Sequence, residues 1–153
     1  MDAEPLRGPG TKDQPTIDAL SREEIRERLR LSTRPDTARF ELDRTDPLRA
    51  LRRAAVLLTL YRHGGAWHLL FIRRAEHPRD RHSGEVGFPG GRWQVGDSSW
   101  AATALREAQE EIGLESAQVD LLGELRPLPT VSQYLVTPVI GSIPWPQTLR
   151  GCE

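Results

Sequence analysis

Two apolar runs joined by a glycine turn stand out near the middle of the chain. Residues 54–61 form a continuous apolar stretch suited to a buried strand, and residues 67–72 follow after Gly64 and Gly65. Strand-like runs separated by a short loop of this kind predict a β-hairpin. We expect this hairpin to belong to the main sheet.

Two further apolar runs follow later in the chain. Residues 119–125 predict one strand, and residues 134–143 predict another. Pro138 lies in the second run, and since proline cannot donate a backbone hydrogen bond, we expect this strand at an edge of the sheet or at a bulge. Strands arranged around one central helix predict an α/β protein with a mixed sheet packed between helices.

The central helix is amphipathic. Its apolar positions recur at helical spacing and form one stripe, made of Ala101, Leu105, Ala108 and Ile112. Asp97, Ser98 or Ser99 is placed to cap its N-terminus. Gly113 is placed to end it in a left-handed conformation.

Three glutamates gather on another side of this helix. Glu107, Glu110 and Glu111 stand at positions i, i+3 and i+4, so their carboxylates share a side. Like charges so placed repel by roughly 0.2–0.5 kcal/mol per pair in an isolated helix. Either they form a solvated face, or a hard divalent cation, which prefers oxygen ligands, offsets the repulsion. Arg106 is placed to hold one carboxylate while the others bind metal.

A glycine-rich turn leads into the helix and favours the metal site. Its backbone can approach a ligand closely, and it contains Gly84, Gly87, Pro89, Gly90 and Gly91. No Gly-Lys-Ser or Gly-Lys-Thr follows, so this turn is not a Walker phosphate loop.

The stretch from Gly91 to Leu114 resembles the Nudix box, whose core reads G-x5-E-x7-R-E-U-x-E-E-x-G-U with U an aliphatic residue. Residues 106–114, REAQEEIGL, match the second half of the box. Arg106 follows Gly91 by one residue more than in the general box, and Asp97 stands near the usual first glutamate. The coenzyme A pyrophosphatase branch shares that extra residue, and the segments SGEVGFPGG and VTPVIG also look like that branch.

The resemblance implies a pyrophosphatase that depends on Mg²⁺ or Mn²⁺. It implies that Glu107, Glu110 and Glu111 bind the metal with a backbone carbonyl of the glycine turn, which we assign to Gly91. Glu107 or Glu111 would accept the proton of the attacking water, and Gly90 would contact the substrate. The preferred substrate would be coenzyme A or its thioesters, cleaved to 3′,5′-ADP and 4′-phosphopantetheine. NADH, ADP-ribose or a damaged nucleotide are alternatives within the family.

The resemblance also implies an α/β/α sandwich with a mixed sheet, which a C-terminal helix normally completes. The sequence given ends soon after residue 143, so we expect that closing helix to be missing. A non-catalytic Nudix domain that binds a nucleotide or a protein is the alternative function. The intact glutamates favour the enzyme, and the short C-terminus favours the alternative.

An arginine-rich loop over residues 73–82 precedes the glycine turn. It carries Arg73, Arg74, Arg79 and Arg81. We predict that these arginines bind the phosphates of a nucleotide, since the guanidinium fork suits bidentate phosphate contacts. The alternative is a solvated loop in which they pair with nearby carboxylates.

Composition and net charge limit the kinds of partner that we expect for this chain. A chain of 153 residues with 37% hydrophobic residues is typical of one globular domain. A net charge of −1 gives no general attraction to nucleic acid or to an anionic membrane, so we expect neither as a partner. No apolar run approaches the ~20 residues of a membrane span, and the single Cys152 agrees with a reducing compartment. We therefore expect a cytoplasmic protein that acts on a small molecule. The sequence leaves open whether the chain forms a homodimer.

The chain divides into three predicted segments. Residues 1–16 are rich in glycine, proline and charge and predict a disordered tail. Residues 17–50 comprise a short charged helix, opened by a capping box of Ser21 and Glu24, and a linking arm. Residues 51–153 form the Nudix-like domain.

Overall fold

The computed structural model describes residues 16–32, 47–73 and 84–150. Most of the predicted tail, most of the predicted arm and most of the arginine loop therefore lie outside the described residues. The described elements, in chain order, are α1 (Arg22–Ser32), β1 (Arg52–His63), β2 (Ala66–Leu70), β3 (Ile72–Arg73), β4 (Val86–Gly87), β5 (Gly90–Arg92), α2 (Trp100–Ile112), β6 (Asp120–Glu124), β7 (Leu128–Pro129) and β8 (Tyr134–Ile143).

The main sheet is mixed, as the sequence predicts. Strands β1 and β8 run parallel at its centre. The other side of β1 pairs antiparallel with β5 along its first part and with β2 along its last part. The other side of β8 pairs antiparallel with β7 and then with β6. Strands β3 and β4 form a separate two-stranded sheet.

The expectation that β8 lies at an edge is wrong, because β8 is a central strand. Pro138 is tolerated there because the partner strand changes beside it. Strand β6 ends opposite Val139 and β7 begins opposite Val136. Leu125 N donates to Pro138 O at 2.9 Å, so the missing N–H of Pro138 would face the same gap between the two strands. The irregularity in register lies in β6, between Leu121 and Gly123.

Helices cover both faces of the sheet. Alternate residues of a strand point to opposite faces, and the odd-numbered side chains of β1 pack under α2. This first core is made of Ala55, Leu57, Ala104, Ala108, Ile112, Leu114, Val139 and Ile143. On the other face, the N-terminal segment packs on the sheet through a second cluster of Leu20, Ile25, Leu122 and Ile140. The result is a three-layer α/β/α arrangement.

The ends of both helices agree with the sequence patterns. Ser21 and Glu24 form the predicted capping box, with Ser21 N donating to Glu24 Oε2 at 2.8 Å and Glu24 N donating to Ser21 Oγ at 3.2 Å. Ser99 is the N-cap of α2, since its Oγ accepts from Ala102 N at 3.1 Å. Gly113 ends α2 with φ of 67°. Neither helix in the described residues is long and apolar enough to cross a membrane.

Candidate active site

Strand β5 brings two glycines into contact with the sheet and with α2. A Cβ on Gly90 would lie 2.7 Å from Val56 Cα, so the adjacent β1 backbone leaves no room for a side chain. A Cβ on Gly91 would lie 2.6 Å from both carboxylate oxygens of Glu107. The Glu107 carboxylate therefore occupies the space beside Gly91 that a side chain would need.

A second glutamate of α2 contacts the same strand. Gly90 N donates to Glu111 Oε2 at 2.9 Å. The ladder to β1 explains why this N–H is available. Leu57 N donates to Pro89 O and Trp93 N donates to Arg53 O, and antiparallel ladders use every second residue. The backbone of Gly91 therefore faces β1, whereas the N–H and C=O of Gly90 face away from it.

Arg106 connects the remaining acidic groups. Its Nη1 donates to Glu107 Oε1 at 2.8 Å and to both oxygens of Glu110 at 3.4 Å. Its Nη2 donates to Arg92 O at 2.9 Å, which joins α2 to the end of β5. The sequence predicted that Arg106 holds a carboxylate of α2, and these contacts confirm it.

Asp97 is the main partner of Arg106, and sequence reasoning considered it only as a cap and as a counterpart of the first box glutamate. Arg106 Nε and Nη2 each donate to one Asp97 oxygen at 3.1 Å. Gln94 N and Thr103 Oγ1 also donate to this carboxylate, at 3.0 and 2.9 Å. The hydrogen bonds from Arg106, followed by those from Gln94 and Thr103, lower the pKa of Asp97 to about 2 against the opposing effect of desolvation. The same ion pair raises the pKa of Arg106.

The three box glutamates differ in burial and in partners. The Glu107 side chain is 15% exposed, whereas the Glu110 side chain is 58% exposed and accepts long hydrogen bonds from Arg106. Glu107 and Glu111 lie against the glycine strand. In residues 16–32, 47–73 and 84–150, no three acidic, histidine or cysteine side chains form a group that could hold a metal ion.

The predicted substrate arginines are described only in part. Arg73 is exposed and lies in β3, where it pairs with Val86 of β4. Arg74, Arg79 and Arg81 lie outside the described residues.

A cavity of about 430 Å³ opens beside the glycine strand. Gly90 and Gly91 form part of its wall, and Tyr134 and Arg92 also line it. Sequence reasoning did not identify these last two residues. A tyrosine at the start of a strand and an arginine after a glycine pair carry no signal until the strands are placed side by side.

Helices on both faces of a mixed sheet, with carboxylates of one helix against a glycine strand, define an α/β/α domain with an acidic site. The chain belongs to the NUDIX domain family, since the family model matches residues 50–145.

Curated relatives share this region. The chain is 46% identical over 85 residues to a protein of Yersinia enterocolitica named uncharacterized Nudix hydrolase NudL, and the aligned residues cover 56% of this chain and 43% of that protein. It is 46% identical over 93 residues to the protein of the same name from Yersinia pestis, and those residues cover 61% of this chain and 46% of that protein. The chain therefore spans less than half the length of these curated relatives.

Two solved structures show the same fold. The Nudix hydrolase RenU of M. smegmatis aligns with a TM-score of 0.55 at 21% identity, covering 67% of this chain and 65% of that chain. The C. elegans Ap4A hydrolase, in a binary complex, aligns with a TM-score of 0.55 at 19% identity, covering 65% of this chain and 71% of that chain.

Proposed function

We propose that this protein hydrolyses the diphosphate bond of a nucleoside diphosphate-linked compound with the help of Mg²⁺ or Mn²⁺. The observation that carries the proposal is the pair of carboxylates, Glu107 and Glu111, held against Gly91 and Gly90 beside an open cavity. Membership of the NUDIX domain family and relatives named Nudix hydrolases support it.

The donor set at the glycine strand fits a hard divalent cation. Glu107 and Glu111 supply carboxylate oxygens, and oxygen-only donors suit Mg²⁺ and Mn²⁺. The register of β5 favours the carbonyl oxygen of Gly90 as the backbone ligand rather than that of Gly91, which faces β1. We propose Glu110 as the third carboxylate; its exposed side chain would have to turn from Arg106 towards Glu107 and Glu111, because the structure does not group three acidic side chains in the described residues. A bound ion would supply charge neutralisation to the diphosphate and acidify a bound water.

The residues of the chain would orient these groups. Arg106 holds Glu107 through its Nη1 and is itself held by Asp97, so the Glu107 carboxylate is positioned before substrate binds. Glu107 or Glu111 would accept the proton of the attacking water as general base. Glu111 is already oriented by the N–H of Gly90.

We propose coenzyme A or its thioesters as the preferred substrate, with 3′,5′-ADP and 4′-phosphopantetheine as products. The resemblance of residues 83–91 and 136–141 to the coenzyme A pyrophosphatase branch supports this choice. Arg73, Arg74, Arg79 and Arg81 remain the predicted phosphate ligands of the preceding loop. NADH, ADP-ribose and damaged nucleotides are the competing substrates. Cytoplasmic location, the lack of nucleic acid and membrane partners, and a homodimer also remain predictions.

The test is a product assay. Purified protein is incubated with Mg²⁺ and, separately, with coenzyme A, NADH and ADP-ribose, and the products are separated by chromatography. We expect cleavage of coenzyme A to 3′,5′-ADP in the wild type and its loss in Glu111→Gln, whose amide oxygen can still accept from Gly90. Glu27→Gln, on the exposed side of α1, is the matched control. Cleavage of NADH or ADP-ribose with none of coenzyme A would reject the preferred substrate and leave the reaction class intact.

A non-catalytic Nudix domain is the second candidate function. One observation favours it: no three acidic side chains of the described residues form a group that could hold a metal. The Glu107 carboxylate is instead held by Arg106, and the Glu111 carboxylate is held by the backbone N–H of Gly90. Binding of a nucleotide without turnover of any member of the panel would support this candidate and reject the hydrolase.

A further inference from the structure

One part of the sheet face opposite α2 is left open. Strand residues that point to this face include Ala54 and Val56 of β1 and Val136 of β8, and all three line the cavity beside the glycine strand. The N-terminal segment covers a different part of the same face, where Leu20 and Ile25 pack. The open part is therefore an apolar floor that adjoins Gly90 and Gly91.

A cationic and aromatic cluster stands at the end of this floor. The guanidinium carbon of Arg52 lies 4.6 Å from the ring centroid of Tyr134, and that of Arg92 lies 5.5 Å from the same centroid. The register of the sheet creates the cluster. Arg52 of β1 pairs with Tyr134 of β8, and Arg92 of β5 pairs with Ala54, which is the next residue of β1 on the same face as Arg52. We call these three residues the arginine–tyrosine cluster.

The charges of the cluster are not balanced by the described part of the chain. No ion pair among the described residues involves Arg52 or Arg92, and their contacts with Tyr134 are cation–π contacts. Such contacts contribute only about 0.5–1 kcal/mol each at exposed sites. Two guanidinium groups against one ring give this place a local positive charge in a chain whose net charge is −1. Among the described residues that line the cavity, Glu85 is the only carboxylate and Arg92 is the only arginine.

The cluster is also tied to the acidic site. The carbonyl oxygen of Arg92 accepts from Arg106 Nη2 at 2.9 Å, and Arg106 holds Glu107. Gly90 and Gly91 line the same cavity as Arg92 and Tyr134, so a ligand with its diphosphate at the two glycines would reach the cluster by extending over the apolar floor.

We infer that the arginine–tyrosine cluster binds a phosphate monoester that the substrate carries outside its scissile diphosphate. The inference rests on the proposed function, because it concerns the far end of the same substrate. Guanidinium groups match phosphate oxygens bidentately and keep their charge at all working pH values. The cluster would thus select nucleotides with an additional phosphate over otherwise identical nucleotides without one.

The test is equilibrium binding without turnover. Calorimetry in EDTA compares coenzyme A with 3′-dephospho-coenzyme A, which differ only in the monoester. We expect the wild type to bind coenzyme A about 10- to 100-fold more tightly, the range that hydrogen bonds to a charged group provide. Arg52→Gln and Arg92→Gln should each reduce this ratio, and the double variant should bring it close to one without changing affinity for the dephosphorylated compound.

Arg28→Gln is the matched control, since Arg28 is exposed on α1 away from the cavity. It should keep the wild-type ratio, and circular dichroism should show that all variants are folded. Equal affinity of the wild type for both compounds, failure to bind either, or a ratio unchanged in the double variant would overturn the inference.

Hydrolysis, measured separately, distinguishes this failure from failure of the proposed function. Selective binding that depends on the two arginines, with no cleavage of any compound, would reject the hydrolase and support the anion subsite. Cleavage of both compounds with equal affinity and equal kcat/KM would support the hydrolase and reject the subsite.

Discussion

The guanidinium of Arg106 and the carboxylate of Asp97 form a pair of hydrogen bonds, Nε to Oδ1 and Nη2 to Oδ2, each 3.1 Å long. Bidentate pairs of this kind restrict both side chains more than a single contact does. Asp97 is 8% exposed and precedes α2, whereas Arg106 lies within α2 and also holds Glu107. Asp97 therefore determines where Arg106 lies, and through it where Glu107 lies.

Replacing Asp97 should affect stability in a pH-dependent way. Because the folded-state pKa of about 2 is below the ordinary value of 3.8, the ionised carboxylate stabilises the fold above about pH 4. This contribution should be lost as the pH falls from about 4 to about 2. Asp97→Asn should therefore reduce the free energy of unfolding by about 2–3 kcal/mol at pH 7 and by less near pH 2. Urea unfolding at several pH values measures this difference, and an equal loss at both ends of the range would contradict it.

The two glycines of β5 should respond differently to alanine. In Gly91→Ala the new Cβ would displace the Glu107 carboxylate, so we expect at least a tenfold loss of kcat/KM with little change in melting temperature. In Gly90→Ala the Cβ would meet the backbone of β1, so we expect a loss of about 1–3 kcal/mol of stability. Gly87→Ala is the control, because a Cβ there meets nothing within 4 Å. Thermal melts and steady-state kinetics of the three variants test the contrast, and similar behaviour of all three would refute it.

Metal binding should be visible in stability as well as in activity. A ligand that binds only the folded state stabilises it by about 2.7 kcal/mol at a concentration 100 times its Kd. We expect Mg²⁺ to raise the melting temperature of the wild type and EDTA to abolish hydrolysis. Glu107→Gln should lose most of both effects because it removes a proposed ligand, and Glu27→Gln should keep them. A melting temperature that does not respond to Mg²⁺ or Mn²⁺ in the wild type would argue against the metal site.

The N-cap of α2 provides a test that does not involve the chemistry. Ser99→Ala removes the acceptor for Ala102 N and should cost about 0.5–2 kcal/mol. Ser98→Ala, one residue earlier, should be close to neutral, since Ser98 is exposed and is not the cap. Chemical denaturation of both variants measures the difference. A larger effect at Ser98 would mean that the helix begins one residue earlier than the structure has it.

Local patterns in the sequence were sufficient for most elements. The apolar runs predicted β1, β2, β6 and β8 because a buried strand needs a continuous apolar stretch. The caps of α2 followed from the residues on either side of a single apolar stripe. The prediction that Pro138 places β8 at an edge was wrong. Whether the missing N–H of a proline disrupts a sheet depends on the strands beside it, and here those strands, β6 and β7, lie elsewhere in the chain.

The site was predictable only as far as neighbours along the chain determine it. Spacing on one helix is a local property, so it was enough to relate Glu107, Glu111 and Arg106. The contact between Asp97 and Arg106 was not predicted, because it forms only when the turn before α2 folds back onto a residue nine positions later in the chain. Helical spacing did not predict that Glu110 would be the exposed member of the triplet, because exposure depends on where β5 lies.

By itself, the sequence determined the elements, their caps, the family resemblance and the identity of the acidic helix, since each depends on residues close together along the chain. Only the tertiary structure decided that β8 is central, that Asp97 holds Arg106, and that Arg52 and Arg92 both contact Tyr134 at the end of the cavity floor. The first and third outcomes depend on the pairing of strands distant in sequence, and the second depends on the turn that folds back onto α2. The free energy of that pairing comes from burying both faces of the sheet, which no local pattern encodes.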